Sequence, residues 1–504
     1  MKALIIAAGK GLRLKSVTRD KPKPLIQLLG LSLIERVLLT AKQAGIEEFV
    51  IVIGYFGERI KEKLGSGNRY GVKIVYLENP EWQGGNGVSV LKAKDLLNEG
   101  FVLLMSDHIF DYHILKELIH HDTKSSVVLA VDRRKALPGD TKVLEEERRI
   151  VDIGKNIEKS NCIDTGIFLC SPKIFSYIEA AVRQGKTELA DGIAKAAQRK
   201  DAEVFDITQI NSYIPSMRKE MTPFWVDIDT ENDITKTKKI LIKAACKGRN
   251  DLLATYVNKP IENFIVSRLA NMRITPNQVT ILTNVIAYTA TFLFFHGFLL
   301  VASLLTFVVS FLDGVDGKLS RVKIASSNTG KMEHAFDFLF EHSWYIALGI
   351  YLSKNYAMLP VLLSTFVVLF DSFSHYCGEV FGKAIKSRPL ADYGRIERLF
   401  RKFDGRKNSY IMFILLGVLL NEPIWSLVAI FAWSLISAAF YSSRTIKHLY
   451  ALDHKKTEIK TSTIQKNLCN LKTDVSFCPE GLIASSDFSN PKIVLRRESK
   501  TISE

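Results

Sequence analysis

Residues 299–321 read "LLVASLLTFVVSFLDGVDGKLSR", an apolar run that ends in Asp313 and Asp316, with Gly317, Lys318 and Arg321 behind them. A carboxylate at the end of a lipid-crossing segment is costly to keep, so two of them point to a use. The plain alternative is a polar helix end meeting water. Asp313 and Asp316 are three residues apart, which puts both on one side of the helix, about 4.5 Å apart along its axis. Gly317 lets a ligand come close, and Arg321, one turn on, can meet a phosphate.

The segments around this stretch divide the chain. Residues 1–247 alternate short β-branched runs ("KALIIAAG", "EEFVIVIG", "VKIVYLE", "GFVLLMSD", "SSVVLAV", "TGIFLCS") with helical stretches. That alternation predicts an α/β domain with a mostly parallel, Rossmann-like sheet, whose ligands sit beyond the carboxyl ends of the strands. Residues 248–277 read as an amphipathic juxtamembrane connector lying along the membrane surface. Residues 278–450 predict an all-α six-helix transmembrane domain, with spans at about 278–295, 298–313, 332–353, 356–379, 409–421 and 424–443. Residues 451–504 are polar and aperiodic and read as a flexible tail.

The net charge of +15 could suit nucleic acid, but the Lys/Arg excess lies largely in loops beside the apolar spans, so no nucleic-acid partner is expected. The short "HGF", "SKN" and "NEP" connections carry almost no basic residues. By the positive-inside rule this predicts a multi-pass cell-membrane protein with its N-terminal domain and C-terminus in the cytoplasm. The six cysteines form no C-x-x-C pair and read as reduced thiols. The apolar start "ALIIAAG" is too short for a secretory signal.

In "LIIAAGKGLRL", Ala8, Gly9 and Gly11 form a turn whose backbone can approach phosphate, and Arg13 can clamp phosphate oxygens. In "DKPKPL", two prolines stiffen the loop around Lys23, a cation suited to a leaving pyrophosphate. Over residues 1–240 these motifs resemble the sugar-phosphate nucleotidyltransferases. The resemblance implies that Arg13 and Lys23 bind the triphosphate, and that Asp107 ("FVLLMSDH") and Asp227 ("FWVDIDT") hold Mg²⁺, with Mn²⁺ a possible substitute. Taken alone, Asp107 is as readily a cap or turn residue. "NPEWQGGNGVSVLKAK", "MSDHIF" and "IDTGIFLCSPKIF" are similar to the inositol-1-phosphate cytidylyltransferase branch, which takes CTP. This implies Gly85 and Asn86 near the base, and Asp164, with Lys155, facing the acceptor phospho-alcohol. On local grounds Asn86 is equally an ordinary turn residue.

Beyond "DGVDG", the run "GKMEHAFDFLFEHSWY" stacks Glu333, Asp337 and Glu341 at i, i+4 and i+8. Three carboxylates on one face among Phe336, Phe338, Phe340 and Trp344 call for cations between them, and oxygen ligands suit hard divalent ions. "DGVDGKLSR" resembles the signature of the CDP-alcohol phosphotransferases, with Ser320 where alanine is usual. The family's second acidic pair, counted from Gly330, falls on His334 and Phe338, so this half departs from the pattern. The favoured reading gives Asp337 to the metal and Glu341 to the general base, and Glu333 with Asp337 is the alternative pair. By the resemblance, Asp313, Asp316 and Asp337 hold Mg²⁺ on a CDP-alcohol, while Gly317 and Arg321 bind its nucleotide. Lys383, Arg388 and Arg395 could recognise a phosphorylated acceptor, though anchoring beside anionic lipid headgroups is their plainer reading.

The two halves together resemble fusions of an inositol-1-phosphate cytidylyltransferase with a CDP-inositol:inositol-phosphate transferase. The resemblance implies a bifunctional enzyme that makes CDP-inositol from CTP and inositol-1-phosphate, then passes phosphoinositol to a second inositol phosphate and releases CMP. It also implies a homodimer paired through the membrane domain. Two alternatives stay open: another phospho-alcohol ending in a phospholipid, or an active cytidylyltransferase on an altered membrane anchor.

Overall fold

The computed structural model describes residues 1–11, 14, 21–211, 213–220, 222–248, 251–325 and 329–473. Arg13 and residues 474–504 lie outside them. All six strands expected from the first half form. They belong to a nine-stranded sheet in the order Lys73–Glu78, Glu48–Ile53, Lys2–Ala7, Phe101–Met105, Cys162–Cys170, Val127–Asp132, Ala202–Asp206, Arg149–Gly154, Lys142–Glu146. The four strands from Lys73–Glu78 to Phe101–Met105 are parallel. Cys162–Cys170 runs antiparallel to both of its sheet neighbours, and the hairpin Lys142–Glu146/Arg149–Gly154 adds further antiparallel pairing. The expected mostly parallel sheet is therefore parallel in its first half and mixed beyond it. Because Cys162–Cys170 runs against Phe101–Met105 and Val127–Asp132, its start, and with it Asp164, lies at the edge where the parallel strands end.

Strand residues alternate between two buried clusters. Leu4, Ile6, Val50, Val52 and Leu103 face one way, and Ala3, Ile5, Phe49, Ile51 and Leu104 the other. Burial on both faces is why these strands read as continuous apolar runs.

The helical half contains six long helices where six spans are expected: Pro276–His296, Leu299–Val322, Glu333–Tyr356, Leu359–Ala384, Lys407–Leu419 and Pro423–Thr473. The first starts on a capping box, in which Thr275 N–H donates to Gln278 Oε1 at 2.9 Å while Gln278 N–H donates to Thr275 Oγ1. Four of the six (276–296, 299–322, 359–384 and 423–454) are long and apolar enough to cross a membrane. Glu333–Tyr356 has the length, but its first turns carry Glu333, His334, Asp337 and Glu341. Lys407–Leu419 has 13 residues; at 1.5 Å per residue it covers about 20 Å of a hydrocarbon layer about 30 Å thick. Their inner faces meet in one core around Phe294, Val309, Trp344, Tyr345, Ile414 and Leu427. Ile281, Phe292, Leu304, Leu369 and Trp425 stay exposed on the outside, an apolar surface suited to lipid.

The connector is a turn of π-helix at Ala254–Asn258 leading into the α-helix Lys259–Leu269. Its residues Val266 and Ala270 are buried against Val315, Leu319 and Val322 of the second long helix and Leu29 and Ala245 of the first half. Residues 1–445 form one compact unit, and residues 446–473, which are helical, belong to a second. The flexible tail expected from 451 is helical as far as that point, and its remainder falls outside the described residues.

Candidate active sites

The first strand ends at Ala7, and the chain passes the buried Ala8 and turns through exposed Gly9 to Gly11. Gly11 has φ +63°, and a Cβ there would lie 2.5 Å from Lys23 Cβ, so the turn sits directly on Lys23. Pro22 and Pro24 hold Lys23 in a single 3-10 turn, 7% exposed. Its ammonium donates to Asp107 Oδ2 at 2.6 Å and Asp229 Oδ1 at 2.8 Å, and lies 3.9 Å from Asp227 Oδ1. Burial alone would push the Lys23 ammonium down, but the three carboxylates hold it well above the ordinary lysine value. Asp229 is the residue the sequence reading passes over. It follows Asp227 by two in "VDID", just past the end of the strand Trp225–Asp227.

Asp107 follows strand Phe101–Met105, and the short strands His108–Phe110 and Trp225–Asp227 pair antiparallel with Asp227 opposite His108. This register brings Asp107, His108 and Asp227 together, with ligand atoms within 4.8 Å of one another. His108 Nδ1 lies 2.6 Å from Thr165 O, which makes Nδ1 the donor and turns Nε2 toward Asp227 Oδ1 at 3.5 Å. Gly166, at φ +70°, leaves room for this ring, since a Cβ would sit 2.2 Å from His108 Nδ1. Burial works to raise the Asp107 carboxyl, yet Lys23 and His108 hold it at about 2. Burial wins at Asp227, pushed up to about 6, and at Asp164, also about 6. Asp227 Oδ1 is buried with no hydrogen-bond partner among the described residues, so the centre has an acceptor left over for a cation. The Asp107 and Asp227 carboxylates, the latter with that free acceptor oxygen, fit a hard divalent ion.

Asp164 accepts the Gly166 N–H at 2.6 Å and lies near His108 and Asp227, at the same centre. Lys155 is exposed in the turn after Arg149–Gly154, and no described ion pair joins it to Asp164. Gly85, at φ +94°, packs on Thr187 O, and Asn86 Oδ1 accepts the Leu189 N–H at 2.7 Å. The Asn86 carbonyl thus ties the 84–87 loop to the start of helix Leu189–Gln198.

The second site lies where helices Leu299–Val322, Glu333–Tyr356 and Lys407–Leu419 meet. Asp313 faces Asp337, and Asp316 faces Glu333. Glu333, His334 and Asp337 have ligand atoms within 4.8 Å of one another. Facing carboxylates repel unless a proton or a cation lies between them, so this donor set also fits divalent ions. Thr280 Oγ1 donates to Asp316 Oδ2 at 2.6 Å and fixes one side of the group. On the other side the Lys407 ammonium donates to Asp313 at 2.7 Å and lies 3.0 Å from Glu341. Glu341, the favoured base, is therefore bound to a lysine, and Glu333 with Asp337, the alternative pair, stands opposite Asp313 and Asp316.

A Cβ at Gly317 would lie 3.3 Å from Arg321 Nη1, so the guanidinium covers the bare face of this glycine. Arg321 Nε donates to Ala245 O at 2.7 Å. Glu262 from the connector presses on Gly314 and takes the buried Lys318 at 2.7 Å. Of the three cations expected to meet an acceptor, Lys383 and Arg395 are exposed. Arg388 pairs instead with Glu220 of the first half at 2.9 Å and stacks over Tyr213. Lys407, Thr280 and Glu262 were not singled out from sequence, because each is distant along the chain from the motif it serves.

Residues 2–243 match the nucleotidyl transferase family, and residues 273–437 match the CDP-alcohol phosphatidyltransferase family. A protein of Aquifex aeolicus named bifunctional IPC transferase and DIPP synthase is 30% identical over 424 residues, covering 82% of this chain and 92% of that protein. A protein of the same name from Rubrobacter xylanophilus is 29% identical over 454 residues, covering 89% of this chain and 96% of that protein. The solved structure of the inositol-1-phosphate CTP transferase from T. maritima is 28% identical, covers 47% of this chain and 94% of that chain, and superposes with a TM-score of 0.42. The chain is a bifunctional membrane transferase and belongs to the family of bifunctional IPC transferases and DIPP synthases.

Proposed function

We propose that the α/β half joins CTP and inositol-1-phosphate into CDP-inositol, and that the membrane half transfers phosphoinositol from it to a second inositol phosphate. The observation that carries this reading is the pairing on one chain of two carboxylate centres, each with its own lysine, the buried Lys23 and the half-buried Lys407. In the first reaction a phosphate oxygen of the acceptor attacks the α-phosphorus of CTP, and the bond to the β-phosphate breaks. Lys23, with Arg13, stabilises the pyrophosphate that leaves. Asp107 and Asp227 would hold Mg²⁺, for which Mn²⁺ could substitute, and Asp164 would face the acceptor near His108.

In the second reaction a hydroxyl oxygen attacks the phosphorus that carries inositol, the bond to CMP breaks, and the hydroxyl proton passes to a carboxylate. With Glu341 engaged by Lys407, Asp337 is the better placed base, and Asp313, Asp316 and Glu333 would hold the divalent ion. At both centres such an ion supplies neutralisation of phosphate charge. Arg321, over Gly317, is placed to bind the nucleotide diphosphate. The basic loops support a cytoplasmic side for the α/β half and both termini by the positive-inside rule.

Mass spectrometry of products from membranes given CTP, Mg²⁺ and inositol-1-phosphate tests the reading. It predicts CDP-inositol together with a di-inositol diester that carries one phosphate. CDP-inositol without the diester would contradict the proposed acceptor, and neither product would overturn the inositol assignment.

A further inference from the structure

We propose that the cytidylyltransferase half is a structural part of the transferase site: it orients Arg321, and through it the bound CDP-alcohol, by a reciprocal capping of two helix ends. The inference rests on the second reaction proposed above. Each of the two helices that meet at the boundary ends with carbonyls that lack an intrahelical partner. Helix Glu231–Ala244 of the first half is capped by Ala245, whose carbonyl accepts Arg321 Nε from the membrane helix at 2.7 Å. Helix Leu299–Val322 of the second half ends at Val322, whose carbonyl accepts Arg36 Nη1 from the first half at 2.9 Å. A guanidinium at a helix C-terminus also meets the negative end of the helix dipole.

The rest of Arg36 shows that this arrangement is built. The side chain is 2% exposed, and Nε and Nη2 donate to the carbonyls of Leu28 and Leu29. The 28–30 turn therefore holds the guanidinium, which in turn holds the end of the helix bearing Asp313 and Asp316. Leu29, Ala245, Val266, Ala270, Val315, Leu319 and Val322 close an apolar core around the two caps. Gly30, at φ +82°, lies so near the connector that a Cβ would meet Ala270 O at 2.1 Å. With Nε tied to Ala245, the Nη groups of Arg321 are directed over Gly317, beside Asp316. A guanidinium fixed on one edge has lost most of its rotamer freedom before it meets a diphosphate, which is preorganisation for binding. Arg36 and Gly30 touch no reacting group and act as positioning residues.

The test measures both half-reactions on full-length protein in membranes, for Arg36→Met, Arg36→Lys and Gly30→Ala. The second half-reaction starts from supplied CDP-inositol. Pyrophosphate release from CTP and inositol-1-phosphate serves as the control for folding of the first half. Arg36→Met and Gly30→Ala are expected to raise KM for CDP-inositol about tenfold, the worth of one charge-assisted hydrogen bond, with kcat changed less. Arg36→Lys, which keeps a cation at Val322, is expected to fall between them and the parent, and pyrophosphate release to stay near the parent rate. An unchanged KM in both disrupting variants overturns the proposal. So does a parallel loss of both half-reactions, which would make the interface a matter of folding alone. If the unmutated protein does not consume CDP-inositol, the assignment of the second reaction fails first, and the inference falls with it.

Discussion

Replacing Lys23 by methionine removes the charge from the first centre while nearly keeping the length of the side chain. The side chain is 9% exposed, and its ammonium lies 2.6, 2.8 and 3.9 Å from Asp107, Asp229 and Asp227. At an effective dielectric of about 20, each unit pair near 3 Å attracts by about 5.5 kcal/mol before desolvation. That sum is why burial fails to strip the proton from Lys23. Taking away one partner of such a buried group costs about 3–5 kcal/mol, because the remaining charges stay buried and uncompensated. For the reaction, losing one preorganised positive group where charge develops lowers the rate about 10²–10³-fold. The assay is pyrophosphate release from CTP and inositol-1-phosphate, with turnover of supplied CDP-inositol measured on the same membranes. The first rate should fall by that factor and the second should hold. A fall of less than about tenfold in the first, or an equal fall in both, would refute the role given to Lys23.

Burial raises the Asp227 carboxyl from its ordinary 3.8 to about 6 in the metal-free protein. A carboxyl raised on folding contributes stability below its unfolded value and loses it as pH climbs through its folded value. Metal-free protein should therefore weaken between about pH 4 and 6, and Mg²⁺ should offset the loss by binding the ionised form. Thermal unfolding against pH, with and without Mg²⁺, checks this, and identical curves would contradict it. In the second site, Thr280→Val removes the hydroxyl that donates to Asp316 and should slow CDP-inositol turnover about tenfold, with pyrophosphate release unaffected. Asp337→Asn should lower the same turnover by about 10²–10⁴-fold, whereas Glu341→Gln should cost less than about tenfold. The reverse order in that comparison of single-turnover rates would return the base to Glu341.

Much of this architecture is legible along the chain because its signals are local. Six β-branched runs became six strands, and "ITPNQVT" carries both a capping box and a proline at the first helical position. Asp313, Asp316, Glu333 and Asp337 could be grouped because i, i+3 and i, i+4 spacings are short-range facts of helix geometry. What sequence could not supply is long-range. Lys407 reaches Asp313 across 94 positions, and nothing near "DGVDG" announces it. The hairpin strands Lys142–Glu146 and Arg149–Gly154, which precede the antiparallel Cys162–Cys170, are polar and half exposed, so their periodicity is weak. The 383–407 loop reads as a basic surface. Yet Arg218 binds its fully buried Asp392 through two bonds of 2.9 Å, and Arg388 leans on Glu220, so part of that loop docks on the first half. Only tertiary packing separates a docked arginine from one that waits for a phosphate.

The central claim is that one chain makes a CDP-alcohol and then consumes it at a second, separate centre. Asp313→Asn tests it most directly, because Asp313 belongs to the second centre alone and meets both Lys407 and Asp337. Membranes holding this variant, fed CTP, Mg²⁺ and inositol-1-phosphate, should accumulate CDP-inositol and form no di-inositol product, while the parent protein converts one into the other. Continued formation of the diester by the variant, or failure to make CDP-inositol at all, would contradict the division of labour between the two sites.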